Sequence, residues 1–201
     1  MAFPGGVPIL PNKQFQFPPH VRRAAVFVPL TNFCGEPAVI FTLRSATLST
    51  HKGQVSFPGG HINVGETDVA AALRETNEEL GIPLAQMEAL ATGQTVPAIT
   101  GTAVTPVIGW IPQNFDQHSA FTVSEEEVDR VFFRTIHELL TDRTTETLSR
   151  DGITMEIDVF GKDRKEEKIW GLTAMVLGAV LDHVIVPTFN GLAQPPNPSG
   201  F

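Results

Sequence analysis

"HKGQVSFPGGHINVGETDVAAALRETNEELGI" (residues 51–82) decides the fold and the function of this chain. Its first part reads as a short strand, "QVSFP" (54–58), closed by Pro58-Gly59-Gly60. A helix follows from about Thr67 to Leu80, with Gly81 where a left-handed cap belongs and Pro83 just beyond. Val69, Leu73, Thr76 and Leu80 recur at helical spacing as a buried stripe, and Ala70, Ala71 and Ala72 allow close approach to a sheet. Glu75, Glu78 and Glu79 stand at i, i+3 and i+4, so their carboxylates share one patch. Such a run is usually a solvated face. Exposed like charges at that spacing repel by about 0.2–0.5 kcal/mol per pair. Arg74 can offset this through Glu78, but one arginine is not expected to serve three carboxylates. The glycine turn shifts the balance, because glycine lets backbone carbonyls point where a side chain would obstruct. A carbonyl plus several carboxylates is an all-oxygen donor set, which suits Mg²⁺ or Mn²⁺ rather than zinc.

Outward from this segment, "AAVFVPL" (24–30) and "AVIFTLR" (38–44) read as strands joined by a "TNFCGEP" turn. Apolar runs at 88–98 and 103–111, "DRVFFRTI" (129–136) and "ITMEIDVF" (153–160) extend the strand set, with "HELL" a helical turn between the last two. "LTAMVLGAVLDHVI" (172–185) is a second long helix. A sheet with one helix mid-chain and one terminal predicts an α/β fold with helices on both faces of a mixed sheet. Residues 1–22 and 187–201 are rich in Pro, Gly and Asn and read as loosely ordered tails around one domain, 23–186.

The 201 residues suffice for one buried core. A net charge of −8 argues against a general nucleic-acid binder and requires a local positive element for any anionic substrate. Cys34 is the only cysteine, so an internal disulfide and a Cys-rich zinc site are both excluded. The apolar runs fall short of a membrane span, and the N-terminus lacks a clear secretory pattern. The expectation is a cytoplasmic protein, monomer or homodimer, with no nucleic-acid or membrane partner; mitochondria and peroxisome stay open.

Gly60, five residues, Glu66, seven residues, then Arg74-Glu75-Thr76-Asn77-Glu78-Glu79-Leu80-Gly81-Ile82 resembles the complete signature of the Nudix family. The resemblance implies a Nudix-type α/β/α sandwich with a mixed sheet and two principal helices, and metal-dependent hydrolysis of nucleoside diphosphates linked to another group. It makes Glu75 and Glu79 the leading metal ligands, followed by Glu78 and the Gly60 carbonyl, with Mg²⁺ or Mn²⁺ as cofactor. Arg74 and Glu66 would orient the loop and helix, or serve only as helix-end ion-pair partners. The resemblance places the general base in a later loop, at Glu127, six residues before Phe133; Glu125, Glu126 and Glu75 compete for that role.

"FTLRSATLSTHKGQVSFPGG" (41–60) is similar to the block that precedes this signature in coenzyme A diphosphatases. "VTPVIGW" (104–110) and "IWGLTAMVL" (169–177) resemble that group as well. The similarity implies Arg44, Ser45, His51 and Gln54 as substrate-binding residues, with Arg44 the leading partner for the 3′-phosphate of coenzyme A (CoA) and Lys52 a further basic candidate. Trp110 and Trp170 could stack on adenine, although buried aromatics are more often core. The chain departs from the pattern at His61-Ile62-Asn63 and at "SEEEV" (124–128), which bears on substrate detail rather than on hydrolysis. The leading expectation is hydrolysis of CoA or its thioesters to 3′-phosphoadenosine 5′-phosphate and (acyl-)4′-phosphopantetheine. The alternatives are a pyrophosphatase for ADP-ribose or dinucleotides, and a non-catalytic nucleotide-binding domain of the same fold.

Overall fold

The computed structural model describes residues 6–45, 53–117, 119, 121–150 and 153–193. Strand β1 (Arg23–Phe33) is the axis of the sheet. It pairs antiparallel with β2 (Glu36–Arg44) along its C-terminal end, and β2 in turn carries β3 (Val55–Ser56). Its N-terminal end pairs antiparallel with β4 (Gly59–His61). After helix α1 (Asp68–Leu80) come β5 (Glu88–Thr92), β6 (Val96–Pro97) and β7 (Ala103–Phe115). Strand β7 runs parallel to β1 from Arg23↔Ala103 onward, which makes the sheet mixed. Strand β8 (Val128–Thr135) joins β2, and α2 (Ile136–Thr141) follows it with a complete capping box from Thr135 and Glu138. A separate hairpin, β9 (Arg143–Arg150) and β10 (Ile153–Phe160), precedes α3 (Gly171–Val180). One π-type turn, Leu181–Ile185, carries α3 into α4 (Val186–Ala193).

Strand periodicity builds the two layers. Successive side chains point to opposite faces, so Ala25 and Phe27 of β1, Ile40 of β2 and Val107 of β7 meet Ala71, Ala72 and Leu80 of α1. Their neighbours Val28, Val39, Phe41 and Ile108 meet Ala174, Val176, Leu177 and Val180 of α3. The α/β/α sandwich expected from the sequence is the observed architecture.

Four details differ from the sequence reading. The buried stripe of α1 is Ala71, Ala72, Thr76, Glu79 and Leu80; Val69 and Leu73 are half-buried and Ala70 is exposed. The small alanines let the helix lie close enough to the sheet to draw Glu79 inside. Val7 and Ile9, placed by composition in a loose tail, belong to the core, because Val7 bridges Gly93 and its backbone exchanges hydrogen bonds with Thr92 and Gln94. The terminal helix passes Pro187 and reaches Ala193, beyond the boundary expected at 186. The helical stretch Gly171–Phe189, 19 residues, is also long and apolar enough by length and composition to cross a membrane, unlike the short runs read from the sequence. Here it lies on the sheet, and Asp182 within it is ion-paired to Arg143.

Candidate active site

Helix α1 is set by caps at both ends. The Thr67 hydroxyl accepts from the Ala70 N–H, and Gly81 takes the left-handed conformation (φ 70°), donating its N–H to the Asn77 carbonyl. Beside the helix, β4 holds Gly59 opposite Val26 and Gly60 opposite Ala25. No side chain fits at either glycine. A Cβ on Gly59 (φ 150°) would strike the Ala25 carbonyl oxygen and the Val26 backbone, and one on Gly60 would lie 2.5 Å from the Glu75 carboxyl carbon. The turn thus leaves room for two carboxylates. Glu75 packs against Gly60, and Glu79 points to the Gly59 N–H at a long 3.4 Å.

Arg74 does what one arginine was not expected to do. Its Nε and Nη2 hold both oxygens of Glu66 at 2.8 and 3.1 Å. Its Nη1 donates to Glu75 and Glu78, each at 2.9 Å, and Nη2 also donates to the His61 carbonyl at 3.0 Å. The fork geometry of guanidinium makes this possible. The hydrogen bond from Arg74 holds Glu66 below its ordinary carboxylate pKa.

Glu127 reaches the site by backbone contacts. The Glu79 carbonyl accepts from the Ser124 N–H (3.1 Å), the Ser124 carbonyl accepts from Glu127 (2.9 Å), and the Glu127 carbonyl accepts from Ser45 (2.9 Å). The loop is pinned between α1 and the end of β2. Carboxylate oxygens of Glu75, Glu79 and Glu127 then lie within 4.8 Å of one another. Glu79 is 2% exposed, and burial pushes its pKa up to about 8, with Glu127 and Glu75 adding to the rise and Arg44 and the Gly59 N–H opposing it. Burial also raises Glu75, against the pull of Arg74. Three carboxylates without enough counter-charge form a donor set that fits a hard divalent cation.

The other expected residues are distributed as follows. Glu78 is 55% exposed on its side chain and turns to Arg74, outside the trio. Arg44 ends β2 near enough for its charge to act on Glu79, and its buried Nε has no hydrogen-bond partner. Ser45 is buried beside it, and the Gln54 carbonyl accepts from the Arg44 N–H at 3.0 Å. His51 and Lys52 lie outside the described residues. Glu125 and Glu126 are exposed on the same loop, and neither joins the trio. Trp170 is 47% exposed just before α3, and Trp110 is half-buried on β7. Sequence reasoning named Gly60 as a ligand and gave Gly59, a member of the same turn, no role at the site; its N–H faces Glu79.

The profile of the Nudix domain matches residues 21–154. The chain belongs to the Nudix hydrolase family. That membership makes it an enzyme of the phosphoanhydride-hydrolase class. The chain is 34% identical over 166 residues to an uncharacterized Nudix hydrolase, NudL, of Citrobacter koseri, covering 78% of this chain and 79% of the relative. It is 42% identical over 120 residues to the NudL of Klebsiella pneumoniae, a match that spans 59% of this chain and 60% of that relative. Among solved structures it is similar to the Nudix hydrolase RenU of M. smegmatis (TM-score 0.49, 22% identity, 69% of this chain and 84% of that one).

Proposed function

We propose that this Nudix enzyme hydrolyses the pyrophosphate of coenzyme A or its thioesters, releasing 3′-phosphoadenosine 5′-phosphate and (acyl-)4′-phosphopantetheine. The observation that carries the reading is the meeting of two stretches at the carboxylate trio. Arg44 and Gln54, from the block that resembles CoA diphosphatases, are joined by a backbone hydrogen bond at the end of β2, and the residue after Arg44 holds the backbone of Glu127. The features that suggest CoA and those that suggest hydrolysis therefore share one place.

Glu75, Glu79 and Glu127 would hold Mg²⁺ or Mn²⁺, with a backbone carbonyl of the Gly59-Gly60 turn as a further donor. A divalent cation there supplies neutralisation of pyrophosphate charge and lowers the pKa of a water. The chain's own groups do the rest. Arg74 fixes Glu75 and, through Glu66 and the His61 carbonyl, the turn that faces it. Arg44 presents a permanent positive charge beside Glu79, so its place fits the pyrophosphate better than the 3′-phosphate expected from sequence. Glu127, exposed on a pinned loop, can accept a proton from water once Glu75 and Glu79 are engaged. Localisation in the cytoplasm and a monomer or homodimer are retained as parts of this proposal.

The test is turnover by purified protein with Mg²⁺ on CoA, ADP-ribose and diadenosine polyphosphates. Preferential release of 3′-phosphoadenosine 5′-phosphate from CoA supports the reading. Turnover of ADP-ribose or dinucleotides with CoA untouched would replace it by the alternative pyrophosphatase, and no turnover of any would point to a binding domain.

A further inference from the structure

A cleft of about 410 Å³ opens beside the signature loop, lined in part by His20, Arg22, Arg23, His61, Asn63 and Glu66. Its volume is within the range of small-molecule sites. Two ion pairs account for two of its charged residues. Arg23 is held bidentately by Asp68 at 2.8 and 2.9 Å, and Glu66 by Arg74. Arg22 is different, because no carboxylate among the described residues lies within ion-pair distance of it. Of the arginine side chains described, only Arg22 and Arg44 form no ion pair, although the chain carries 22 acidic residues against 14 basic ones. A guanidinium that no carboxylate holds keeps its fork of donors free for an anion. Arg44 lies at the carboxylate trio, and Arg22 lies in the cleft.

The cleft is built and not incidental to loose chain. The Arg22 carbonyl accepts from the Ala103 N–H at 2.8 Å and the Arg23 carbonyl from the Ile62 N–H at 3.1 Å, so both walls are tied to the sheet. His61 pairs with Ala24 at the end of β4 and directly follows Gly60, the residue against Glu75. One guanidinium joins cleft and trio, because Arg74 holds both Glu66, which lines the cleft, and Glu75 of the trio. A ligand whose pyrophosphate sits at the trio can place a second anionic group here. Arg22 offers a fork for phosphate oxygens, and each imidazole of His20 and His61 offers at least one N–H in either protonation state.

We propose that Arg22, with His20 and His61, forms a subsite for a phosphate monoester carried by the substrate in addition to its pyrophosphate. The assignment rests on reading the neighbouring trio as the site of pyrophosphate hydrolysis, and it gives CoA's 3′-phosphate a partner other than Arg44.

The test is binding rather than turnover, so it can be run whatever substrate the enzyme prefers. Calorimetric affinities are measured for adenosine 3′,5′-bisphosphate and for 5′-AMP, with Mg²⁺, in the wild type, Arg22→Gln and His61→Gln. The wild type should hold the bisphosphate about ten- to a hundredfold tighter, the effect of one charge-assisted contact. Arg22→Gln should erase most of that preference while leaving 5′-AMP affinity within about twofold, and His61→Gln should reduce it partly. Arg22 is exposed and its hydrogen bond to the sheet is a backbone one, so the variant keeps its fold. Equal affinities in the wild type, or a preference that survives Arg22→Gln, would overturn the subsite. Failure of the CoA reading has a different signature, turnover of ADP-ribose without turnover of CoA.

Discussion

Gly60 and Glu75 are in such close register that a methyl group on the glycine would lie 2.5 Å from the carboxyl carbon of the glutamate. The neighbour is the far end of a flexible side chain, so Gly60→Ala should be absorbed by moving Glu75 and not by unfolding. The expected result is a Tm within a few degrees of wild type and kcat/KM reduced by about a hundredfold, the scale of an ångström-sized misplacement. Gly59→Ala is the contrasting variant. Its new atom meets β1 backbone, at a φ that L residues avoid, and it should fail to fold stably. Thermal denaturation of both variants separates the two roles.

Glu79 links the site to pH. Its folded pKa of about 8 lies above the ordinary 4.5, so between those values the folded state keeps a proton that the unfolded chain has released. Metal-free stability should therefore fall as pH rises through that window and be lowest above pH 8. Glu79→Gln removes the penalty. At pH 8 in EDTA the variant should be more stable than wild type by about 2–4 kcal/mol, and at pH 4.5 the two should coincide. Saturating Mg²⁺ should raise the Tm of wild type but not of the variant, which should have lost turnover by orders of magnitude. A variant less stable than wild type at pH 8 in EDTA would remove the idea that Glu79 is held against its charge.

Arg74 holds three carboxylates and a carbonyl with one fork. Lysine has no planar fork, so Arg74→Lys should release Glu66 or Glu75 and cut kcat/KM by at least tenfold at unchanged net charge. Retention of full activity would mean that the charge alone suffices. Glu78→Gln breaks only an exposed contact, so its effect should be much smaller than that of Glu79→Gln.

Glu127→Gln should weaken Mg²⁺ binding in calorimetric titration and lower kcat, whereas Glu125→Gln and Glu126→Gln should do neither, since only Glu127 joins the trio. Equal effects at all three positions would indicate a general acidic surface in place of a ligand.

Arg44→Ala should reduce kcat/KM for CoA and for dephospho-CoA by similar factors, about ten- to a hundredfold, because its charge falls on Glu79. A loss confined to CoA would return Arg44 to the 3′-phosphate.

The sequence by itself determined what is local. Capping and helical periodicity set α1 to within a residue, from the Thr67 cap to the left-handed Gly81, and the spacing of Gly60, Glu66, Arg74, Glu75 and Glu79 carried the family. Alternating apolar residues marked the principal strands, since a period of two is written in neighbouring positions. Tertiary structure alone decided which neighbours those elements would have. Val69 and Leu73 fit a buried stripe as well as Ala71 and Ala72 do, and only the sheet's approach turned the alanines inward and took Glu79 with them. Val7 and Ile9 have no local period, and they are core because Thr92 and Gln94, far along the chain, bind the backbone of Val7 and the Ile9 side chain lies against Gly93. Glu127 was one of three consecutive glutamates until the Glu79 carbonyl and the Ser45 amide pinned its loop. Arg22 stayed invisible for the same reason: whether a charge is paired depends on distances between segments, and a linear sequence records no distance beyond a few residues.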